Sequence, residues 1–259
     1  MILLPFCPSS PKWLYQKGMT EKAEMSLIKL RNTSKITKEI NQLEDALNNK
    51  PKGNFFNSLF RKELIKPILI GITLHITQQL SGVNAVIFYS TSIFENAGVQ
   101  NASIATAVIG LVNVIATIFS VFLIEKLGRK ILLLVSEIWS FFFYILLSIS
   151  FILIHYNIAV QVMNIVTVIS VVMFIIGFAI GLGPIPWVMT SELYPDEVRG
   201  FISSCLLALN WSIVFGVGLT FDSIDSLIKP FTFIPFTIVI GISIIIAIFF
   251  ISETKNSNK

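Results

Sequence analysis

Six apolar runs, at about 67–93, 104–124, 131–154, 161–190, 200–221 and 231–251, restrict this chain more than any other feature. A helix needs about 20 apolar residues to cross a hydrocarbon core roughly 30 Å thick. Lipid offers no hydrogen bonds, so each crossing segment must satisfy its own backbone, and a helix does so. The expected fold is therefore an all-α multi-pass membrane protein with six transmembrane helices. A hydrophobic share of 54% and 22 phenylalanines agree with lipid as the solvent.

Charge sets the orientation. Eighteen of the 19 Lys and Arg residues fall on one side of a six-span arrangement, and only Lys229 falls on the other. The positive-inside rule then puts both termini in the cytosol, with the plasma membrane the expected location. The net charge of +4 follows from this asymmetry and not from nucleic-acid binding. Cys7 and Cys205 fall at cytosolic or intramembrane positions, so no disulfide framework is expected. Met1–Pro8 is a short apolar patch with no charged region before it, unlike a cleavable signal peptide. Asn101-Ala102-Ser103 fits a glycosylation acceptor on the outer side, although its loop is short.

Residues 1–11 read as the end of a preceding membrane helix and 12–66 as a cytosolic helical domain. The six-span bundle covers 67–251, and 252–259 form a cytosolic tail. Thr20 is placed to cap a helix running to about Arg31. Thr37 is placed to cap a second one with Ile40, Leu43 and Leu47 on one face, ended by Asn48–Gly53. Phe55–Leu64 would approach the membrane as an amphipathic segment. Composition alone reads 12–66 equally well as a solvated linker.

Within the first run, Gln78-Gln79-Leu80-Ser81-Gly82-Val83-Asn84 places amides and a hydroxyl where hydrocarbon is expected. An unpaired amide in an apolar medium costs roughly 2–7 kcal/mol. Neutral donors and acceptors facing a shared cavity suit an uncharged ligand rich in hydroxyls, such as a sugar. His75, Gln78, Gln79 and Gly82 share one helical face; a lone His there packs or lines a cavity more readily than it ligates. Ser81-Gly82 permits local unwinding. The second run carries Thr106, Gly110, Asn113, Thr117 and Ser120 on one face, a pattern that serves helix packing as well as ligand binding.

The fourth run is interrupted at Gly181, Gly183, Pro184 and Pro186. Proline removes a backbone donor and clashes with the preceding turn. At membrane depth such breaks persist where they are buried in protein or line a cavity. Trp187 follows with a ring face for stacking, and Asn210-Trp211 repeats the amide–indole pair in the fifth run. Glu125, Arg129, Glu192 and Arg199 lie on the basic rim, where weak pairs across helix ends would release when an inner gate opens. Glu137 is the one acid clearly inside a span, and a snorkelling or locally paired carboxylate is expected rather than a proton relay. No nucleophile–base pair, metal-ligand cluster or phosphate loop is present, so neither an enzyme nor a cofactor or metal is expected.

These motifs together resemble the sugar porter family of the major facilitator superfamily, and in particular its facilitative glucose (hexose) transporters. Gln78–Asn84 followed by Phe88–Phe94 is similar to the family's seventh helix. Glu125–Lys130 is similar to the loop between helices 8 and 9, Gly183–Trp187 with Glu192 and Arg199 to helix 10, and Asn210-Trp211 to helix 11. Pro8–Leu14 and Ser252–Lys255 are degraded forms of the signatures closing helices 6 and 12. The resemblance implies that Gln78, Gln79, Asn84, Asn113, Trp187 and Asn210 bind a hexose, and that Tyr89 helps close an outer gate.

Three departures bear on the substrate and the gate. Ala179 stands where many members have an acid. His75-Ile76-Thr77 replaces the Gln-Leu-Ser of some glucose-selective members, and Ser9 and Lys12 replace the Glu and Arg of the helix-6 signature. The family has twelve spans, so the resemblance covers its cytosolic domain and C-terminal half. The expected partner is accordingly an N-terminal six-helix half or a full-length relative. A second expectation, of a different class, is a non-transporting six-span sugar sensor or inhibitory partner of full-length transporters.

Overall fold

The computed structural model describes residues 8–33, 36–48, 59, 61–96 and 98–253. The chain divides into two compact units, Met1–Asn57 and Ser58–Lys259.

The first unit contains α1 (Pro11–Gln16), α2 (Thr20–Arg31) and α3 (Thr37–Asn48). Ser10 caps α1 by accepting from the Trp13 N–H at 3.4 Å. Ser26 of α2 donates to the Ser9 carbonyl at 2.5 Å, and Arg31 pairs with Glu39 at 3.1 Å. Leu14, Ala23, Leu27 and Ile36 form the small buried set. Thr20 is the first residue of α2 rather than its cap. Met19 occupies the cap position, and no side chain bonds to the first turn. Thr37 is likewise inside α3 from its start. The Leu47 side chain and half of the Phe55–Leu64 approach, residues 55–58 and 60, lie outside the described residues.

The second unit is built wholly from helices among its described residues. They are α4 (Lys62–Leu80), α5 (Val83–Asn96), α6 (Ala102–Leu127), α7 (Arg129–His155), α8 (Val160–Gly177), a π-helical turn (Phe178–Leu182), α9 (Ile185–Leu193), α10 (Asp196–Ile228) and α11 (Ile234–Phe250). Taken as six crossing segments, the first is α4–α5 and the fourth is α8, the π turn and α9. Four segments are individually long and apolar enough to cross a membrane: Ala102–Leu127, Arg129–His155, Val160–Leu193 and Asp196–Ile228. Gly82 divides the first segment, and α11 has 17 residues.

The 33 residues of α10 exceed the expected 200–221 run at both ends. At 1.5 Å per residue such a helix is about 50 Å long, more than the bilayer core. Its first turn carries Asp196 and Glu197, and Asp222 and Asp225 lie near its end, so only the middle is hydrocarbon-like.

The bundle exposes apolar side chains on its outside and buries a mainly apolar interior that also holds polar residues. The outer face of α6 exposes Ile104, Val108, Leu111, Ile115, Phe119 and Phe122. Inside, hydroxyls join helices in pairs: Thr91 with Thr106 at 2.9 Å between α5 and α6, and Ser150 with Thr167 at 2.8 Å between α7 and α8. Lipid tails are as apolar as leucine, so close packing and such bonds hold the helices together. One apolar cluster centres on Phe94, Tyr144, Phe174 and Phe233, and another on Leu74, Leu132, Leu182 and Met189.

Candidate functional site

Both interrupted segments break for reasons visible in the sequence. Gly82 adopts φ +80°, and a Cβ there would lie 2.6 Å from the Tyr144 hydroxyl and 2.7 Å from the Phe236 ring. Only glycine adopts that backbone routinely and leaves that space open. In the fourth segment Gly181 packs against α7 so tightly that a Cβ would meet Ser136 Cβ at 2.5 Å and the Leu132 carbonyl at 2.6 Å. Ser136 stitches the π turn to α7. Its hydroxyl donates to the Gly177 carbonyl at 2.7 Å and accepts the Leu182 N–H at 2.8 Å.

Pro186 creates one of the acceptors that the Gln78 amide then fills. Pro186 has no N–H, so the Leu182 carbonyl four residues earlier has no helical donor. Gln78 Nε2 donates to that oxygen at 3.3 Å and to the Gly183 carbonyl at 2.5 Å. The Gln78 Oε1 accepts from Asn210 Nδ2 at 2.8 Å, and Asn210 Oδ1 accepts from Gln79 Nε2 at 2.8 Å. Gln79 Oε1 accepts from the Asn84 amide. Asn210 Nδ2 also reaches His75 Nδ1 at 3.1 Å, while His75 Nε2 lies 3.0 Å from Thr190 Oγ1. Thr190 spends its own proton on the Pro186 carbonyl at 2.7 Å, so His75 Nε2–H donates to it and Nδ1 accepts.

The result is one hydrogen-bonded cluster from α4, α5, α9, α10 and the π turn. Gln78, Asn210 and His75 are 3%, 1% and 0% exposed. Toward its open side Asn84 is half-buried, and the Trp187 ring is exposed with its centroid 4.7 Å from that of His75, edge to face. The structure thus brings together five of the six expected sugar contacts. Asn113 on α6 is the sixth: half-buried, its carbonyl and Oδ1 accept only from Thr117, at 2.8 and 3.4 Å. His75 and Thr190 are members that the sequence reading did not assign. His75 was signalled by sharing the Gln78 face; Thr190 carried no signal.

At the basic rim Arg129 grips Glu192 through Nε at 3.1 Å and Nη2 at 2.5 Å, joining α7 to α9. Such bidentate pairs combine charge with fixed geometry. Glu253, beyond α11, accepts the Arg129 and Lys130 N–H groups at 2.9 and 3.1 Å, a carboxylate on the open N-terminus of α7. Arg199 stays at the start of its own helix α10, bonded to the Tyr194 carbonyl at 3.0 and 2.8 Å and paired with Asp196. Glu125 is exposed and enters none of the described ion pairs. At the other end the Tyr89 ring lies 4.5 Å from that of Phe221, and its hydroxyl donates to the Gly218 carbonyl at 3.4 Å, linking α5 to α10. Glu137 is fully buried, so it does not snorkel; one carboxylate oxygen accepts from Ser243 of α11 at 2.6 Å.

With this arrangement in view, relatives decide the family. The sequence matches the family described as "Sugar (and other) transporter" over residues 1–258. The chain belongs to the sugar porter family of the major facilitator superfamily. It is 34% identical to the facilitated trehalose transporter Tret1 of Bombyx mori over 99% of its length, covering 52% of that protein. It is 34% identical to facilitated glucose transporter member 2 of Mus musculus, covering 99% of this chain and 49% of the relative.

Among solved structures, the proton:xylose symporter XylE bound to 6-bromo-6-deoxy-D-glucose matches at TM-score 0.79 and 26% identity, over 98% of this chain and 53% of that one. A double tryptophan mutant of XylE matches at 0.81 and 26%, over 99% and 54%. This sugar porter chain therefore spans about half the length of the curated relatives it matches.

Proposed function

We propose that this chain acts as the C-terminal half of a facilitative hexose transporter. It would move glucose-like sugars across the plasma membrane by alternating access, with both termini in the cytosol and an N-terminal six-helix half or a full-length relative as partner. The carrying observation is the amide cluster where the two helix breaks meet. Amides offer both donor and acceptor to sugar hydroxyls, and irregular backbone at membrane depth marks transporter sites.

In this reading Gln79, Asn84 and Trp187 meet the sugar, and Gln78 and Asn210 contact it while holding the others in place. Asn113 adds its amide when α6 faces the same cavity. Gly181, Gly183, Pro184 and Pro186 supply the hinge. Tyr89 closes the outer gate. Arg129 and Glu192 form the inner latch, with Glu125 and Arg199 on the same rim. Relatives named for trehalose, glucose and xylose support sugar as the substrate class.

Counterflow in liposomes tests the proposal, with protein purified from its own membranes so that any partner half travels with it. Glucose inside should accelerate uptake of labelled glucose, and Asn84→Ala should reduce the acceleration several-fold. Saturable binding without flux would overturn the carrier reading.

A further inference from the structure

A groove of about 650 Å³ runs between α4 and α11 at the basic end of the bundle, apart from the amide cluster. Its walls are Leu69 and Ile70 on one side and Ile246, Phe250 and Ile251 on the other, with Lys62 and Lys66 at its mouth. The volume falls within the range of small-molecule sites. The two lysines stand four residues apart on α4, which puts them on one face. Both are exposed, and neither takes part in an ion pair among the described residues. Among the described residues the groove is lined by no acid. Glu63, on the same helix, borders a separate small cleft with Arg61 and Glu197.

We propose that this groove holds an anionic phospholipid, its phosphate on Lys62 and Lys66 and one acyl chain along Leu69, Ile246 and Phe250. An apolar slot ending in two exposed cations matches the form of such a molecule, with charge at the interface and hydrocarbon below. Lysine stems lie along apolar surface while their ammonium groups stay at headgroup level. The exposed face of α11 is apolar at Ile238, Ile242, Ile245 and Phe249, so the slot opens beside a face suited to lipid. The basic end of the bundle is also where a cytoplasmic leaflet would present anionic lipid.

Native mass spectrometry of the purified protein tests this, using phosphatidylserine and phosphatidylcholine with identical acyl chains. Phosphatidylserine should be retained at least fivefold better. The double variant Lys62→Ala/Lys66→Ala should erase that preference, and Lys12→Ala/Lys17→Ala, in the other unit, should leave it intact. Ile246→Trp, which fills the slot, should lower retention of both lipids, and it carries the test alone should the lysine variant lose its native unfolding transition. Equal retention of the two lipids would overturn the proposal, as would an unaffected lysine variant. So would competition by glycerophosphoserine as effective as by the lipid, which would mark an anion site only. A dimer dissolved by Ile246→Trp would show the groove to be an interface between copies.

Discussion

Two polar stripes look alike in sequence and end differently in the structure. His75, Gln78, Gln79 and Asn84 on the first segment meet Asn210, Thr190 and the carbonyls of the π turn, and almost every polar atom finds a partner. On α6 the stripe divides. Thr106 bonds to Ser90 and Thr91 as a packing contact, while Asn113, Thr117 and Ser120 bond within α6 itself. The difference comes from the breaks. An unbroken helix keeps its carbonyls for itself, whereas a proline-interrupted one leaves acceptors that recruit side chains from neighbouring segments.

The largest expected effect is at the centre of the cluster. Asn210→Leu leaves Gln78 Oε1, Gln79 Nε2 and His75 Nδ1 without Asn210, and each stranded buried group costs about 1–3 kcal/mol. Thermal unfolding in detergent should fall sharply, with sugar affinity reduced more than tenfold; a shift of a degree or two would show the network to be dispensable. Gly82→Ala should come next, destabilising by about 1–3 kcal/mol through its positive φ and the crowded Tyr144 hydroxyl. Unchanged unfolding there would mean that the break does not depend on glycine.

Asn84→Ala sharpens the contrast, since it should weaken sugar binding several-fold while leaving unfolding unaltered. A double-mutant cycle on Arg129→Ala and Glu192→Ala should give a coupling of about 1 kcal/mol. Additive single effects would remove the latch. The smallest change belongs to Asn113→Ala, with stability within about 0.5 kcal/mol of wild type and affinity lowered at most threefold. A loss as large as that of Asn84→Ala would put α6 on an equal footing with the breaks.

Much of this was legible because polar residues inside apolar runs need a reason. Gln78–Asn84 stood out on that ground and Gly181–Trp187 as a Gly/Pro break, while the rim charges Glu125, Arg129, Glu192 and Arg199 stood out as a set whose pairing the sequence did not assign. The direction of the Gln78 amide was not legible. It depends on which carbonyl Pro186 frees, and on a π turn held by Ser136 from another helix. Glu137 shows the same limit, since its pairing rests on Ser243 arriving at the same depth from α11. Thr20 misled because a capping residue type stood one position inside the helix. Glu253 closes the α7 N-terminus from more than a hundred residues away, and spacing along one helix does not reveal such a partner.

Equilibrium binding of labelled glucose to protein purified from its own membranes, comparing wild type with Gln79→Ala, tests the central claim most directly. The account predicts saturable binding in the wild type and at least a tenfold loss in the variant, with the protein still folded. Saturable binding of equal strength in both would contradict it and place the sugar away from the amide cluster.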